Sequence, residues 1–249
     1  MGIVNVAPDS FSGDGVSPAS VLERVQTQVR EGADIVDLGG ESTRPQAAGV
    51  SQEEELARVI PALSVVRQCI EVAISVDTQK AEVARQALQR GATIVNDVSG
   101  LRDPEMKEVV ASAGAGVVIV HSRRERKHPD VLDDVLSFLE EAAAAAIQAG
   151  VREGAIAVDP GFGFAKRPVE SLRILGELRT LRRLGFPVVM GMSRKGTIGA
   201  VLDLPVDRRL EGSLAAAVLA VAHGVDMVRV HDVEATLRAV RFADAVIRG

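Results

Sequence analysis

Three residues of this 249-residue chain have side chains suited to binding a flat, polar ring. Asp77, Asn96 and Asp159 each stand at the end of a short apolar segment, and each offers oxygen atoms that accept hydrogen bonds. A carboxylate that faces two adjacent N–H groups makes a paired, charge-assisted contact, which fixes the orientation of a ring. The three residues therefore indicate a ligand with N–H edges, such as a 2-amino-pyrimidinone.

Cationic or protonatable side chains follow two further apolar segments. Arg194 and Lys195 come after one of them, and Arg229 and His231 lie at the end of the last. Arginine matches the geometry of a phosphate with two parallel hydrogen bonds, so this set indicates a phosphate or diphosphate group. Asn5, after the first apolar segment, is suited to offering its oxygen to Mg²⁺, which bridges phosphates with only one or two protein ligands.

The elements that must position these residues alternate regularly. Amphipathic segments with helical spacing lie between most of the apolar ones, for example at 19–31, 53–67, 81–90, 132–149 and 210–223. The β-branched apolar segments predict strands at 2–6, 35–38, 72–76, 93–96, 116–120, 155–159, 187–190 and 227–230. Several helices are expected to end at a glycine just before the next strand, namely Gly32, Gly91, Gly114, Gly150, Gly185 and Gly224.

This alternation predicts an α/β fold, a single (β/α)8 TIM barrel that spans residues 1–249 as one domain. A doubly wound open sheet is the alternative, but it usually has fewer strands or a G-x-G-x-x-G turn after its first strand, and no such turn follows residues 2–6. In a TIM barrel the active site lies at the C-terminal ends of the strands. Any one polar strand end is explained by helix N-capping, but a whole rim of them favours a shared site.

Composition and charge exclude several classes of function. The net charge of −5 and the absence of Trp and Tyr argue against nucleic-acid binding, which needs a basic face or an aromatic stacking surface. No apolar run approaches the roughly 20 residues of a membrane span, so no membrane partner is expected. The one cysteine, Cys69, rules out an internal disulfide, and with no secretion signal this predicts a cytoplasmic protein.

Nucleophilic and zinc chemistry find no support in the sequence. Ser193 lacks the G-x-S-x-G turn of a hydrolase, and no His/Cys cluster has the spacing of a zinc site. Cys69 lies late in a helical segment, where we expect it to be buried. The basic run at 123–127 is expected to be a solvated face, although its place just after the fifth strand leaves a role at the rim open.

Eight motifs in order along the chain resemble those of the dihydropteroate synthases, a family of pterin-binding barrels. Because they occur at barrel spacing over essentially the whole chain, the resemblance is highly specific. The motifs are NVAPDSFSGDG at 5–15, GADIVDLGGESTRP at 32–45, ISVDTQKAEVA at 74–84, NDVSGLRDPEM at 96–106, DPGFGF at 159–164, GMSRK at 191–195, EGSLAA at 211–216 and VRVHDV at 228–233.

The resemblance implies that the chain condenses 6-hydroxymethyl-7,8-dihydropterin diphosphate with 4-aminobenzoate to 7,8-dihydropteroate and pyrophosphate, a step of folate biosynthesis. The pterin is then expected to contact Asp77, Asn96, Asp159 and Lys195. The diphosphate and its Mg²⁺ are expected to contact Asn5, Thr43, Arg229 and His231. The aminobenzoate is expected to contact Thr43, Pro45, Phe164, Ser193 and Lys195. Arg44 and Gly191 complete the substrate-binding set.

The resemblance also implies catalytic roles and an assembly. Asp77 and Asp159 are expected to stabilise a cationic pterin, while Arg229, His231 and Mg²⁺ neutralise the departing diphosphate. Lys195 belongs to the same catalytic set. A flexible loop is expected to fold over the reacting methylene and exclude water, with Asp9, Ser10, Phe11 and Asp14 in it. The family is commonly homodimeric, so a homodimer is expected.

The chain departs from the family pattern at a few positions. The first loop has Ala7 where the family has Thr, and its carboxylate, Asp14, is displaced by one residue. Ala165-Lys166-Arg167 replaces the family's Gly-Lys-Thr, and Val120-His121-Ser122 replaces Met-His-Met. These changes leave open a degenerate paralogue that binds pterin without turnover. A pterin-dependent methyltransferase domain is a further alternative, but it does not need the SFSxxG, GGESTRP, SRK and RVHD motifs.

Overall fold

The computed structural model describes residues 1–6, 17–41, 49–123 and 125–249. Within these ranges, six parallel strands pair in sequential order, β1 to β6, and two further parallel strands, β7 and β8, pair with each other. The strands are β1 (Gly2–Asn5), β2 (Ile35–Gly39), β3 (Ala73–Asp77), β4 (Ile94–Asp97), β5 (Gly116–Val120), β6 (Ile156–Asp159), β7 (Val189–Gly191) and β8 (Met227–Arg229).

Two single bridges close these strands into a ring. Val158 in β6 pairs in parallel with Val188, which directly precedes β7, and the Val158 N–H donates to the carbonyl of Pro187 at 2.9 Å. Gly2 in β1 pairs in parallel with Val230, which directly follows β8, and the Ile3 N–H donates to the Val230 carbonyl at 2.9 Å. All eight strands therefore run parallel around one barrel, which confirms the predicted fold class.

Helices connect successive strands around the outside of this barrel. Short 3₁₀ segments at Glu153–Ala155, Leu178–Leu184 and Val206–Arg208 add to the connections. Most predicted boundaries differ from the observed ones by one or two residues. The helices are α1 (Pro18–Arg30), α2 (Gln52–Cys69), α3 (Ala81–Gln89), α4 (Met106–Ala113), α5 (Val131–Gln148), α6 (Pro168–Gly176), α7 (Gly196–Leu202), α8 (Leu210–Ala222) and α9 (Val233–Arg248).

Local chemistry sets where these helices begin and end. The side chains of Ser17, Ser51 and Asp130 accept hydrogen bonds from the first N–H groups of α1, α2 and α5. The six glycines predicted to end helices all have a positive φ, between 62° and 98°, which confirms their role as C-caps. These caps return the chain to the strands, whose carboxyl ends then fall at one end of the barrel.

The core lies between the strands and the inner faces of the helices. Leu38, Ile74 and Ile119 from the strands are fully buried, as are Leu63 and Leu139 from the helices around them. Burial on both faces is typical of parallel strands covered by helices. No helix in the part of the chain that the structure describes is long and apolar enough to cross a membrane.

The prediction that Cys69 is buried is wrong. It is the last residue of α2, and its side chain is exposed to solvent. The apolar face of α2 instead buries Val59, Leu63 and Val66, and Cys69 comes three residues after the last of these. A residue at the end of a helix need not follow the burial pattern of the turns before it, because the chain leaves the barrel surface there.

Two exposed glycines separate the conformational role of a C-cap from packing. Gly114 has a φ of 62° and Gly176 ends α6 without a positive φ, and a Cβ at either position meets no atom within 4 Å. We expect Gly114→Ala to lower the free energy of unfolding by about 1 kcal/mol, because alanine is strained at a positive φ. The matched Gly176→Ala is expected to raise it by about 0.5 kcal/mol through the entropy of the unfolded chain. Urea unfolding measures both, and equal effects of the two substitutions would contradict the assignment.

Candidate active site

The polar strand ends predicted from the sequence lie side by side at one rim of the barrel. Asn5 pairs in register with Gly39, Gly39 with Asp77, and Asp77 with Asn96. On the opposite side, Val120 pairs with Asp159, and Gly191 pairs with Arg229. The carboxyl ends of the parallel strands thus bring residues from distant parts of the sequence to one rim.

A largely buried guanidinium, on a side chain that is 13% exposed, bridges two carboxylates at the centre of this rim. Arg229 donates from Nε to Oδ2 of Asp37 and from Nη2 to Oδ2 of Asp77, both at 2.6 Å. The same Asp37 oxygen accepts a hydrogen bond from Nδ2 of Asn96 at 3.0 Å. We refer to Asp37, Asp77, Asn96 and Arg229 as the central cluster. It joins β2, β3, β4 and β8 through their side chains.

Asp37 is the member of the central cluster that the sequence analysis missed. Its side chain has no solvent exposure and faces the barrel interior. The signal was present in the second motif, where Asp37 is the one charged residue between the apolar residues Ile35, Val36 and Leu38. A lone carboxylate within a buried strand needs a partner, and the partner lies 192 positions further along the chain.

Burial and the excess of carboxylates shift the pKa values in the central cluster. Burial raises the pKa of Asp77 to about 7, and the negative charge of Asp37 adds to this, against the opposing effect of the Arg229 guanidinium. Burial alone would lower the pKa of Arg229, but Asp37 and Asp77 hold it above its ordinary value. Arg229 is therefore permanently charged, while Asp77 can gain or lose a proton near neutral pH.

Asp159 is held in place by two backbone N–H groups. Its Oδ1 accepts from Gly161 at 2.6 Å, and its Oδ2 accepts from Gly191 at 3.3 Å. Burial raises the pKa of Asp159, while the Lys195 ammonium and the Gly161 hydrogen bond oppose that shift. A side chain at position 191 would lie close to this carboxylate, because a Cβ there would be 3.7 Å from Oδ2.

Lys195 contacts both the backbone and an aromatic ring of the loop after β6. Its Nζ donates to the carbonyl of Phe162 at 2.6 Å and lies 3.7 Å from the centre of the Phe164 ring. Burial lowers the pKa of Lys195 to about 8, and the carboxylate of Asp159 limits that shift. At neutral pH most of the molecules therefore carry an ammonium here, next to a carboxylate and a ring face.

Ser193 and His231 are also brought together. The backbone N–H of His231 donates to Oγ of Ser193 at 3.2 Å, and its Nδ1 lies 3.1 Å from the same oxygen. Arg194, which the sequence analysis counted among the cations for a phosphate, is instead engaged by Asp232, with its Nε 3.0 Å from Oδ2. Arg194 has a φ of 58°, a conformation uncommon for a residue with a side chain, and its N–H donates to Ser213.

Asn5 is exposed at the end of β1, and its carbonyl accepts from Nη1 of Arg24 at 3.4 Å. Among the residues that the structure describes, no group of three or more His, Cys, Asp or Glu side chains could hold a metal ion. The exposed side-chain amide of Asn5 fits a Mg²⁺ ion that takes most of its ligands from water and phosphate. The other predicted site residues lie outside the described ranges: Asp9, Ser10, Phe11, Asp14, Thr43, Arg44 and Pro45.

Lys80 holds the end of the second strand–helix connection, a role that the sequence did not indicate. Its Nζ lies 2.6 Å from Oε2 of Glu41, the last described residue before the gap at 42–48, and 2.6 Å from Oε2 of Glu55. Glu55 is fully buried in α2. The chain therefore leaves β2 anchored to α2 and to the start of α3.

The expectation of a solvated face for the basic run is wrong for Arg123 and Arg126, which are largely buried, whereas Lys127 is exposed as expected. Arg123 pairs with the buried Asp134, and Arg126 makes two hydrogen bonds to Glu170, at 2.8 and 2.9 Å. Lys127 pairs with Glu141 at the surface. The acidic partners lie on α5 and α6, so the run ties the loop after β5 to two helices. A pattern of like charges along the sequence does not show these partners.

Comparisons with known proteins fit this geometry. The sequence model of the family described as "Pterin binding enzyme" matches residues 1–231. The dihydropteroate synthase of Bacillus subtilis is 45% identical over 250 residues, which cover 99% of this chain and 88% of that protein. Similarity of this extent covers every strand of the barrel.

Two solved structures of dihydropteroate synthases have the same fold. A dihydropteroate synthase from Clostridium difficile, crystallised in the presence of pteroic acid, superposes with a TM-score of 0.96 at 43% identity and covers 100% of this chain and 96% of its own. The enzyme from Xanthomonas albilineans with 4-aminobenzoic acid has a TM-score of 0.94 at 42% identity, with 99% and 92% of the two chains covered.

The central cluster predicts a large cost for removing Asp37. We expect Asp37→Ala to lower the free energy of unfolding by about 3 kcal/mol, because it leaves a buried guanidinium short of a partner. Asp37→Asn keeps an oxygen that can accept both hydrogen bonds, so it is expected to cost about 1–2 kcal/mol.

The matched control is Asp34→Ala, at an exposed position three residues before Asp37. It is expected to change the free energy of unfolding by less than about 0.5 kcal/mol. Urea unfolding at pH 7 measures all three variants. If Asp37→Ala were no more costly than Asp34→Ala, the bridge from Arg229 to Asp37 would not be a stabilising contact.

Proposed function

Because the chain belongs to the pterin binding enzyme family, we infer that it works as a dihydropteroate synthase. It condenses 6-hydroxymethyl-7,8-dihydropterin diphosphate with 4-aminobenzoate and releases pyrophosphate. One observation supports this conclusion most directly: the central cluster lies at the same rim of the barrel as Asp159, Lys195 and Phe164. Acceptors for a polar ring, cations for a leaving group and an aromatic face for a second ring all lie within that rim.

We propose that Asp77, Asn96, Asp159 and Lys195 hold the pterin. The amino-pyrimidinone edge of the pterin carries N–H groups that donate hydrogen bonds to the carboxylates. It also carries a ring carbonyl, which accepts a hydrogen bond from the Lys195 ammonium. The raised pKa values of Asp77 and Asp159 mean that each carboxylate gains most from a ligand that supplies N–H donors in the buried site. Gly191 leaves room beside Asp159, since a Cβ at that position would be 3.7 Å from its Oδ2.

The departing diphosphate is assigned to Arg229 and His231, with Thr43 from the second loop, and Arg44 of the same loop completes the substrate-binding set. Asp37 and Asp77 accept from Nε and Nη2 of Arg229, and a guanidinium has five N–H groups in all, so Arg229 can serve the diphosphate at the same time. Asn5 would hold the Mg²⁺ through its side-chain oxygen. When bound, this ion neutralises charge on the diphosphate oxygens.

The reaction breaks the bond from the pterin methylene to the diphosphate oxygen and forms a bond from that carbon to the aniline nitrogen of 4-aminobenzoate. Positive charge builds on the pterin as the diphosphate leaves, and Asp77 and Asp159 stabilise it electrostatically. The aniline nitrogen needs no strong base, because it loses its proton readily once it is bonded to carbon. Positioning and electrostatics therefore supply most of the rate.

The aminobenzoate is assigned to Phe164, Ser193 and Lys195, with Thr43 and Pro45 from the second loop. Phe164 offers a ring face, and Lys195 and Ser193 lie on the same side of the rim through the loop after β7. We also propose that the first loop, with Asp9, Ser10, Phe11 and Asp14, closes over both substrates. A cytoplasmic location is also proposed, because the single cysteine leaves no internal disulfide to form.

A homodimer is proposed from the distribution of exposed apolar side chains. Among the described residues, the large exposed hydrophobic ones other than Ile147 all lie on one side of the barrel, from α6 to α9. Helices α8 and α9 pack together there, and α6 and α7 contact α8. These residues are Val169, Leu172, Val201, Leu202, Val206, Leu219, Phe242, Val246 and Ile247. Such a concentration is typical of a surface covered by a second protein, here a second copy of the chain.

The direct test of the activity measures pyrophosphate release from purified protein with the pterin diphosphate, 4-aminobenzoate and Mg²⁺. We expect release that requires 4-aminobenzoate. Lys195→Ala is expected to reduce turnover by at least about 10²-fold, because it removes a charged group that contacts both substrates. Lys127→Ala, at an exposed ion pair with Glu141, is the matched control and is expected to stay within about twofold of the parent.

Two outcomes would favour the alternatives. Binding of the pterin diphosphate without release of pyrophosphate would identify a degenerate paralogue. Release that does not depend on 4-aminobenzoate would point away from the synthase. Near-normal turnover of Lys195→Ala would show that the assigned pocket is wrong even if the reaction is right.

The dimer proposal is tested by sedimentation velocity. Phe242, which is 76% exposed in the chain alone, is replaced by glutamate, and Ile147→Glu on α5 is the matched control outside the apolar side. We expect the parent and Ile147→Glu to sediment as dimers and Phe242→Glu to shift toward the monomer, because a charge would be buried without a partner. A parent protein that sediments as a monomer at all concentrations would refute the proposal.

A further inference from the structure

The ammonium of Lys166 lies within hydrogen-bond distance of four acceptors beside the active-site rim. Its Nζ is 2.8 Å from Nδ1 of His121 and 3.1 Å from the carbonyl of the same residue. It also donates to the carbonyls of Gly161, at 3.0 Å, and of Phe164, at 3.1 Å. The contacts connect the loop after β6 to the end of β5. A lysine ammonium has three hydrogens and no acceptor, so its donors are fully used here.

The chemistry of the partners fixes the protonation of His121. Its Nε2 lies 3.0 Å from Oδ2 of Asp134, which as a carboxylate can only accept, and its Nδ1 faces an ammonium, which can only donate. The neutral tautomer with the proton on Nε2 satisfies both contacts. Burial, together with the positive charge of Lys166, lowers the pKa of His121 to about 4, in agreement with a neutral ring.

Asp134 is itself held from several sides, so the chain of contacts is anchored. Arg123 pairs with its carboxylate, and the backbone N–H groups of Lys127 and His128 donate to its Oδ1 at 2.8 and 3.2 Å. His121 also packs edge-on against Phe138 of α5, with 4.9 Å between the ring centres. The position of the Lys166 ammonium is therefore determined by α5 and β5, not only by its own loop.

The loop that Lys166 holds has an unusual backbone. Gly161, Gly163 and Ala165 all have a positive φ, of 71°, 76° and 49°. A Cβ on Gly161 would lie 1.8 Å from the carbonyl oxygen of His121, so the loop passes directly against the end of β5. Alanine rarely adopts a positive φ, and at position 165 it is kept in this conformation by the contacts around it.

The same loop carries three contacts of the active site. The Gly161 N–H donates to Asp159, the Phe162 carbonyl accepts from Lys195, and the Phe164 ring faces the Lys195 ammonium. The carbonyls that Lys166 binds belong to the first and last residues of the segment Gly161–Phe164. Fixing both ends of this segment fixes the two groups that surround Lys195.

We propose that Lys166 is a positioning residue for the second substrate: it clamps the segment Gly161–Phe164 against His121 and so places Phe164 and Lys195 for 4-aminobenzoate. This inference rests on the proposed synthase function. Asp77 and Asn96 of the central cluster stand on strands outside this segment, whereas Asp159 and Lys195 contact it. The pterin therefore keeps two contacts that the clamp does not position, while Phe164 belongs to the clamped segment itself. Loss of the clamp should affect the second substrate more than the first.

The clamp needs the charged form of Lys166. Burial lowers the pKa of Lys166 to about 7, with the positive charges of Lys195 and Arg126 acting in the same direction and Asp159 and Asp134 opposing it. His121 is neutral over this range. Below the pKa the ammonium has three donors, and above it the amine has two, so the clamp weakens as the pH rises through about 7.

The test uses Lys166→Met, which keeps the apolar stem of the side chain and removes the ammonium. We expect the KM for 4-aminobenzoate to rise about tenfold, while the KM for the pterin diphosphate stays within about twofold. In the parent, the KM for 4-aminobenzoate is expected to rise between about pH 6 and pH 8, and Lys166→Met should lose this part of the pH dependence. Lys166→Arg restores a charge and is expected to recover part of the loss.

Hydrogen exchange of the full-length protein tests the clamp without any substrate. The amides of Gly161, Gly163 and Phe164 are hydrogen-bonded in the parent, and we expect a peptide covering 160–166 to exchange at least about tenfold faster in Lys166→Met. Lys127→Met, which removes an ammonium at the surface, is the matched control and should change neither exchange nor KM.

Three results would overturn the proposal, and they separate it from the assigned reaction. Unchanged exchange in Lys166→Met would show that the ammonium does not hold the segment, whether or not the protein releases pyrophosphate. Faster exchange with an unchanged KM for 4-aminobenzoate would show that the segment does not position that substrate. An equal rise in both KM values would indicate general damage to the rim rather than a positioning role.

Discussion

The buried contact of Arg229 with Asp37 and Asp77 is the interaction on which the rim of the barrel depends. It connects the carboxyl end of β8 to β2 and β3 across β1, which lies between β8 and β2 in the ring. Removing three charged groups from water is costly, and it is offset only where the geometry is good and the remaining hydrogen-bonding atoms are satisfied. Two bonds of 2.6 Å and the further donation from Asn96 supply part of this, but Oδ1 of Asp37 is buried without a hydrogen-bond partner among the described residues. Apolar side chains of similar volume would stabilise the barrel at least as well, so the cluster is better explained by what it binds.

The charge balance of the cluster suits a ligand that becomes positive on one side and releases an anion on the other. Two carboxylates share one guanidinium, so the cluster carries an excess of negative charge when Asp77 is ionised, and the raised pKa of Asp77 reflects this excess. A ring that donates N–H hydrogen bonds and gains positive charge offsets this excess of negative charge. The Arg229 guanidinium remains charged throughout, and its remaining N–H groups can donate hydrogen bonds to the leaving diphosphate. In the proposed reaction, the central cluster would therefore stabilise charge on both the pterin and the diphosphate, which is a form of electrostatic preorganisation.

The sequence predicted the barrel and most of the rim because both follow from local patterns. Alternating apolar segments and glycine caps indicate the strands and helices one at a time, and the rule that parallel strands end at one rim places Asp77, Asn96 and Asp159 together. Pairings between distant residues have no such local signal. The choice of Arg229 as partner for Asp37, and of Asp232 for Arg194, depends on the final fold, and so do the pKa values, which depend on burial. The acidic partners of the basic run lie on other elements for the same reason.

The site therefore divides into two parts that are built differently. The groups assigned to the pterin ring and the diphosphate stand mainly on strands, whose register holds them to the barrel, whereas those assigned to 4-aminobenzoate stand on the loops after β6 and β7. Loops lack a ladder of backbone hydrogen bonds, so their positions rest on side chains such as Lys166, His121 and Asp134. The departures from the family pattern at Ala165 and Arg167 fall on either side of Lys166, in the second part. Variation there can alter the site of the second substrate while the strand-borne part keeps its geometry, because the two parts meet at a few side chains, namely Asp159, Lys195 and the pair of Ser193 and His231.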